Sequence, residues 1–372
     1  MIIELHILQN FSPSNLNRDD TNNPKDCEFG GVRRARISSQ CIKRATRLAP
    51  VFAQTTGVEV GERTKWLMRL LKDKLVEGGK KAEEAEKILS ELVNAYYSKP
   101  DGKEKTKTAV LLYVSKSEVA ALAKTVMDNW DDLSGDESKA TIEKLAKEWR
   151  KINQGITSAP DIALFGRMLA EHPELNLEAA SQVAHAISTH RVTMEMDYYT
   201  AVDDLQPDDT SGAGMIGFTS FNSACFYRYA CIDWEQLKSN LNGEADLARK
   251  TVEAFLRSSI EAVPTGKQTS FAANNPPGFL LAVVRRSGAA WSLANSFEQP
   301  VYPAREGGYL RPSIKAMDTY WGQLTQVYGC EGIQKLAALS LDAEAPLDNL
   351  KPYLTSDQKT WLGVVLEALP KE

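Results

Sequence analysis

The chain has 372 residues, enough for one large or two modest domains. Hydrophobic residues make up 43% and charged residues 25%, the balance of a soluble globular protein, and no run approaches the roughly 18–20 apolar residues of a membrane helix. A net charge of -5 argues against indiscriminate nucleic-acid binding but leaves room for a local cationic surface. Five cysteines without regular spacing read as reduced cytosolic thiols rather than a disulfide or metal framework.

The opening "MIIELHILQN" has a short apolar stretch, interrupted by Glu4 and His6, and no cationic lead. It is no secretory leader, and with the thiols it places the protein in the cytoplasm. Within it Ile3, Leu5 and Ile7 alternate with Glu4 and His6, the pattern of a half-buried strand. The Asn-, Asp-, Pro- and Gly-rich segment that follows, up to Gly31, reads as a long loop of the kind that carries function. Ser38-Ser39 offer an N-cap, so a helix begins there, with Gln40, Lys43, Arg44 and Arg47 on one face and Cys41, Ala45 and Leu48 on another. Residues 59–152 are Lys/Glu-rich and helical in period, an insertion of their own, and "EAASQVAHAISTHRV" reads as a further helix. Thr193 to Ser223 is rich in Gly, Asp, Ser and Thr around short β-prone pieces, which predicts an extended hairpin or flap. A strand over "SFNSACFYRYACI", a helix over "EADLARKTVEAFLRSSIEAV", a buried strand over "PGFLLAVVRR", and two helices follow, the last ending near Leu369. Strand, helix, insertion, flap, strand, helix, strand is close to an α+β, ferredoxin-like βαββαβ unit opened by one insertion and one long hairpin.

From Phe29 to Pro50 the chain holds Arg33, Arg34, Arg36, Lys43, Arg44 and Arg47 and no acidic residue. A Gly-Gly turn, a helix N-terminus and cations on one helix face are three anion-binding devices in a short span, which suggests a grip on phosphate. A solvated cationic face is the plain alternative, but such faces mix signs and this one does not. "GAGMIG" lacks the strand before and the helix after that a dinucleotide fingerprint requires, so it supplies flap glycines and no nucleotide cofactor. His185 and His190 are five apart, a spacing unsuited to a helical metal pair, and read as structural. Asp203-Asp204 are turn or hydrogen-bonding residues, and Ser38-Ser39 serve as caps rather than nucleophiles. Neither a catalytic constellation nor a metal or cofactor site emerges. Tyr227 and Tyr229 share a strand face, where core packing is the commoner use than base stacking. Apolar Tyr198, Tyr199, Met215, Ile216 and Phe218 sit in the polar flap, able either to wedge between bases or to dock on a neighbouring protein.

Read in order, "SPSNLNRDDTNNPKDCEFGGVRRARISSQCIKRATR", "INQGITSAPDIALFGRM", "AHAISTHRV", "MDYYTAVDDLQ", "ACFYRYACI", "VPTGKQTSFAANNPP" and "LRPSIKAMDTYW" resemble the CasC family of CRISPR-associated proteins. These are backbone subunits of the type I-E Cascade surveillance complex, and the matches span nearly the whole chain, loosely over 59–152. The resemblance implies a modified RNA-recognition-motif palm (1–52 and 225–372), helical fingers (53–184) and a β-hairpin thumb (185–224). It implies a non-catalytic subunit whose copies stack head to tail along the spacer of a CRISPR RNA. Each thumb displaces one nucleotide, so that the guide pairs in segments with target DNA, alongside other Cascade subunits. Carried over by position, Arg18, Lys25, Ser38, Gln40, Lys43, Arg44 and Arg47 would hold the RNA backbone, with Arg33 and Arg34 as helpers and Lys267 and Gln268 from a second loop. Met168 would pack near the displaced nucleotide, and Tyr198, Tyr199 and Ile216 fall in the thumb. Lys139, Lys144, Lys147 and Lys151 would form a track for target DNA, although Glu143 and Glu148 share their helix and a mixed solvated surface fits equally. Two rival readings remain: a metal-dependent ribonuclease using Asp203, Asp204 or Asp26, as in relatives from other CRISPR types, and a protein scaffold that binds partners through the flap.

Overall fold

The computed structural model describes residues 1–135, 138–201, 204–205 and 215–371. In chain order the strands are β1 (Ile2–Ser14), β2 (Asp26–Phe29), β3 (Val32–Ile37), β4 (Glu62–Thr64), β5 (Leu112–Val114), β6 (Ser181–Val183), β7 (Ala186–Ser188), β8 (Glu195–Ala201), β9 (Met215–Asp233), β10 (Phe279–Arg285) and β11 (Ile333–Ser340). The helices are α1 (Ser39–Leu48), α2 (Pro50–Thr56), α3 (Leu67–Glu77), α4 (Ala82–Tyr96), α5 (Lys116–Asp128), α6 (Trp130–Ser134), α7 (Ser138–Ile152), α8 (Pro160–Phe165), α9 (Trp234–Asn240), α10 (Ala245–Glu261), α11 (Gln268–Phe271), α12 (Leu310–Tyr328) and α13 (Gln358–Glu367). The result is a mixed α+β protein that divides into two compact units, and no described helix is long and apolar enough to cross a membrane.

The first unit comprises residues 1–49, 183–231 and 255–370. Its sheet runs β11-β10-β1-β9-β7-β3-β2, with antiparallel pairing of β11 with β10, β10 with β1, β9 with β7, β7 with β3 and β3 with β2. Leu8, Phe279, Leu281 and Val283 pack with Ile314, Met317 and Trp321 of α12, and Phe11, Ala35, Ile37, Ala224 and Phe226 pack with Ile42 of α1. Each of the larger of these buried side chains, Leu, Ile, Val, Phe or Met, contributes about 2 kcal/mol. The alternation in β1 does not leave one face wet: Glu4 and His6 are fully buried. They are tolerated because both are engaged, as buried charge must be. Glu4 pairs with Arg285 and accepts the Trp291 N–H at 2.9 Å, while His6 Nδ1 meets the Tyr227 hydroxyl at 2.8 Å. That hydroxyl also accepts the Leu293 N–H at 2.8 Å, so Tyr227 is spent in the core.

Several stretches differ from the sequence reading. The loop after β1 is shorter, because β1 runs on to Ser14 and the basic block opens as the β2–β3 hairpin rather than as a loop. The helix expected over "EAASQVAHAISTHRV" is instead β6 and β7; Ile187 pairs with Arg36 on one side and Tyr227 on the other, so ladder bonds override a helix-compatible pattern. The strand β11, at the edge of the sheet, was not expected at all.

The second unit comprises residues 50–182 and 232–254, with Lys371. Its helical period is realised in α3 to α7, which enclose Leu71, Leu75, Leu89, Leu92, Val93, Leu122, Val126 and Trp149. A capping box starts α5: Ser115 Oγ accepts the Glu118 N–H at 2.9 Å and Glu118 accepts the Ser115 N–H at 2.7 Å. The two-stranded β4–β5 ladder is an addition that the helical pattern concealed.

Candidate nucleic-acid interface

The long loop between β1 and β2 is folded by its own bonds. Asp19 Oδ1 accepts the N–H groups of Thr21 and Asn23, both at 2.9 Å, and Lys25 N–H reaches Asn17 O at 2.8 Å. The loop is then tied to the start of α1: Asn17 Oδ1 accepts the Ser38 N–H at 2.8 Å, and Lys25 O accepts the Arg36 N–H at 2.9 Å. This puts exposed Arg18 and half-buried Lys25 beside the first turn of α1, where Gln40 and Arg44 are exposed, Lys43 is half-buried and no acid stands. A third segment joins them. Gly266 lies so close to the β1 end that a Cβ would sit 2.3 Å from Leu16 O, which brings in Lys267, itself in the left-handed region at φ 47°. The Lys267 ammonium donates to Thr219 Oγ1 at the base of the β8–β9 hairpin.

Several residues of the cationic block do something other than face solvent. Arg34 is 0% exposed, and its guanidinium donates to the carbonyls of Phe29, Ser188, Phe297 and Glu298. It is a brace for the β2–β3 hairpin, turned away from solvent. Gly30 belongs to the same brace: its φ is 61° and a Cβ would lie 1.7 Å from Glu298 O, so this turn fits the chain's own backbone, while Gly31 faces open space. Arg47 is 8% exposed, because the buried side of α1 is Ile42, Thr46 and Arg47 rather than Cys41, Ala45 and Leu48. Gln268 also turns inward, its amide group donating to Pro264 O at 3.0 Å and Ala273 O at 3.3 Å. Ser38 is buried, with its Oγ accepting the Cys41 N–H at 3.3 Å, a cap as its residue type suggested. Arg33 is exposed but paired: its Nε lies 2.5 Å from Asp26 Oδ2, so the block's purity of sign in sequence does not hold there in space.

The β8–β9 hairpin stands out from the sheet with all of β8 exposed. Pairing Tyr198 with Phe218 and Thr200 with Ile216 gathers Met196, Tyr198, Ile216 and Phe218 on one face, where the Tyr198 and Phe218 rings meet edge to face at 5.3 Å. On the other face the Tyr199 ring lies over Gly217, whose Cβ would come within 2.3 Å of it. Phe218 is 67% exposed, far from a core residue. The glycines at 212 and 214, and Asp203, lie outside the described residues.

In the second unit Met168 is 84% exposed, next to Arg167, whose buried guanidinium pairs with Glu118 at 2.7 Å. Lys139, Lys144, Lys147 and Lys151 are exposed along α7, as are Glu143 and Glu148. Among the described residues no three His, Cys, Asp or Glu side chains group as a metal site, and Asp26 is occupied by Arg33. Beside the first turn of α1, Arg36 and His185 meet, a contact outside the expected set of site residues. Arg36 donates through Nε to Asp26 O at 3.1 Å, and its Nη1 lies 3.2 Å from His185 Nδ1. Nothing in the spacing of the histidines points to this contact.

The architecture is thus a mixed α+β protein with a cationic groove, acid-free at the first turn of α1, beside an exposed apolar hairpin. The chain belongs to the CT1975-like protein family, whose model matches residues 3–357. It is similar, at 27% identity and a TM-score of 0.86, to a chain from a solved "CRISPR RNA-guided surveillance complex, pre-nicking", covering 99% of this chain and 100% of that one. A chain from a second "CRISPR RNA-guided surveillance complex" shares the fold at 23% identity and a TM-score of 0.76, again over 99% of this chain and 100% of that one. No curated protein matches. The resemblance to the CasC family read in the sequence agrees with the family match and with the first of these structures.

Proposed function

We propose that the chain is a non-catalytic, CRISPR-RNA-binding backbone subunit of a cytoplasmic Cascade complex. Its copies stack head to tail along the guide spacer and present it in segments to target DNA, with other Cascade subunits as partners. The observation that carries this reading is the likeness, along essentially the full length of both chains, to a chain of an RNA-guided surveillance complex. Two features of the molecule support it. The central strand order β10-β1-β9-β7, with α1 after β1 and α10 after β9, is that of a ferredoxin-like sheet, which fits a modified RNA-recognition-motif palm built on 1–52 and 225–372 and completed by β7 and the start of β9 from 185–224. The groove offers Arg18, Lys25, Gln40, Lys43, Arg44 and Lys267, groups that bind phosphate and sugar. A subunit repeated along a guide of arbitrary sequence must leave base edges free for pairing.

In this reading 53–184 are the fingers, carrying Met168 and the α7 lysines, which contact the displaced nucleotide and target DNA respectively. Residues 185–224 are the thumb, and Tyr198, Tyr199 and Ile216 work at the guide. Head-to-tail contact is heterologous and does not close, so the RNA sets the length of the stack. The test is co-expression with a CRISPR RNA, followed by absorbance ratio and mass. The expected product is an RNA-containing assembly of several copies that ribonuclease disperses; a nucleic-acid-free monomer would overturn the reading.

A further inference from the structure

Two of the four histidines stand in the "HAISTH" stretch beside the groove. His190 is explained by the fold. It is buried, stacks on Tyr309 with ring centroids 3.6 Å apart, accepts the Cys225 N–H at Nε2 (3.2 Å) and donates from Nδ1 to Arg191 O (2.8 Å). His185 is different. It is exposed, and two donors converge on one of its atoms: the Ser39 N–H at 3.3 Å and Arg36 Nη1 at 3.2 Å both meet Nδ1.

A backbone amide can only donate, so Nδ1 carries no proton and the ring is the neutral Nε2–H tautomer. Ser39 opens α1, and its amide is one of those that no helical carbonyl reaches. The imidazole therefore acts as a second cap on α1, beside the Ser38 hydroxyl. It also fixes the far end of a guanidinium whose Nε is held by Asp26 O. The loop carrying Lys25, strand β3 and helix α1 meet here, and one uncharged ring links two of them to the segment before β7.

Resting on the RNA-binding reading above, we propose that His185 is a positioning residue of the groove, a neutral acceptor that sets the first turn of α1 and the Arg36 guanidinium so that Gln40 and Arg44 meet phosphate. The charged groups facing the ring are Arg36 from β3 and Lys25 from the preceding loop; the first turn of α1 has no acid, and Asp26 is engaged by Arg33. Burial first, then these two cations, holds the His185 pKa below the ordinary imidazole value. The ring is thus neutral at pH 7, and the arrangement is complete there. It is lost as pH falls through the lowered value, when a proton on Nδ1 would set donor against donor.

The experiment titrates the full-length protein against an end-labelled single-stranded RNA of mixed sequence, by fluorescence anisotropy, from about pH 7.5 to about pH 5 at fixed ionic strength. Wild type should weaken about fivefold on acidification, the worth of about one hydrogen bond. His185→Asn places a non-titrating oxygen near the Nδ1 position; it should bind within about twofold of wild type at neutral pH and keep that affinity in acid. His185→Ala should be about fivefold weaker at both ends. An Asn variant that weakens in acid as wild type does, or an Ala variant that equals wild type at neutral pH, overturns the proposal. Arg44→Glu, run in parallel, separates the two layers of argument. If it leaves RNA binding intact, the RNA-binding reading itself fails; if it abolishes binding while His185→Ala changes nothing, only the role of His185 fails.

Discussion

Arg34 and Arg44 come from one basic block and have opposite fates. Arg34 is sealed inside with four carbonyl partners, whereas Arg44 is exposed on α1. Removing a buried group that satisfies several acceptors costs the desolvation of each acceptor left behind. Arg34→Ala should therefore lower unfolding free energy by about 3 kcal/mol in a denaturant titration. Arg44→Ala should leave stability within about 0.5 kcal/mol and weaken RNA binding, reducing the slope of log affinity against log salt by about 1. The two glycines of the turn divide in the same way. Both have positive φ, so alanine at either is strained by about 1–2 kcal/mol. Only at Gly30 does a Cβ also collide with backbone, at Glu298 O. Gly31→Ala should yield folded protein with a modestly lower Tm, and Gly30→Ala should yield protein whose β2–β3 hairpin has lost its amide protection from hydrogen exchange.

At the scale of elements, the β8–β9 hairpin is where surface chemistry departs most from a soluble norm. An antiparallel ribbon with Met196, Tyr198, Ile216 and Phe218 exposed on one face gains little for folding from those side chains beyond the Tyr198–Phe218 cross-strand pair. Replacing Tyr198, Ile216 and Phe218 together by Ser should change stability by less than about 1 kcal/mol. If the hairpin displaces nucleotides of a bound guide, the same variant should retain RNA yet lose any periodic hyper-reactivity of guide bases to a single-strand chemical probe. Unchanged periodicity would point to a protein-docking role for this face. The sequence marked this element well, through apolar side chains in a Gly-, Asp- and Ser-rich stretch. It marked α1 less well. A 100° period placed the cations on one face, but Arg47 lies in the buried stripe because Ile42 and Thr46, not Leu48, meet the sheet. The helix expected near His185 became strands because β7 fills a gap between β3 and β9, and no local pattern announces such a gap.

For the whole molecule, an acidic chain that binds RNA must do so by concentrating cations locally. With a net charge of -5, repulsion outside the groove opposes stray contacts. Guide-dependent assembly should then fall steeply with salt, because each phosphate neutralised releases a counterion. Measured by light scattering between about 50 mM and about 200 mM salt, the RNA-bound mass should decline, while a protein-only stack would be indifferent.

Sequence by itself determined the family, the helical insertion, the hairpin and the cationic character of the first helix, because each is written in residues close together in the chain. Tertiary structure alone decided which cations face outward. Arg34 and Arg47 differ from Arg44 not in type or local spacing but in which distant carbonyls and strands close over them. The same holds for His185, whose acceptor nitrogen means nothing until Ser39 and Arg36 are brought to it across the sheet. Burial and hydrogen-bond partnership are properties of contacts between remote segments, and a pattern of neighbours along the chain does not contain them.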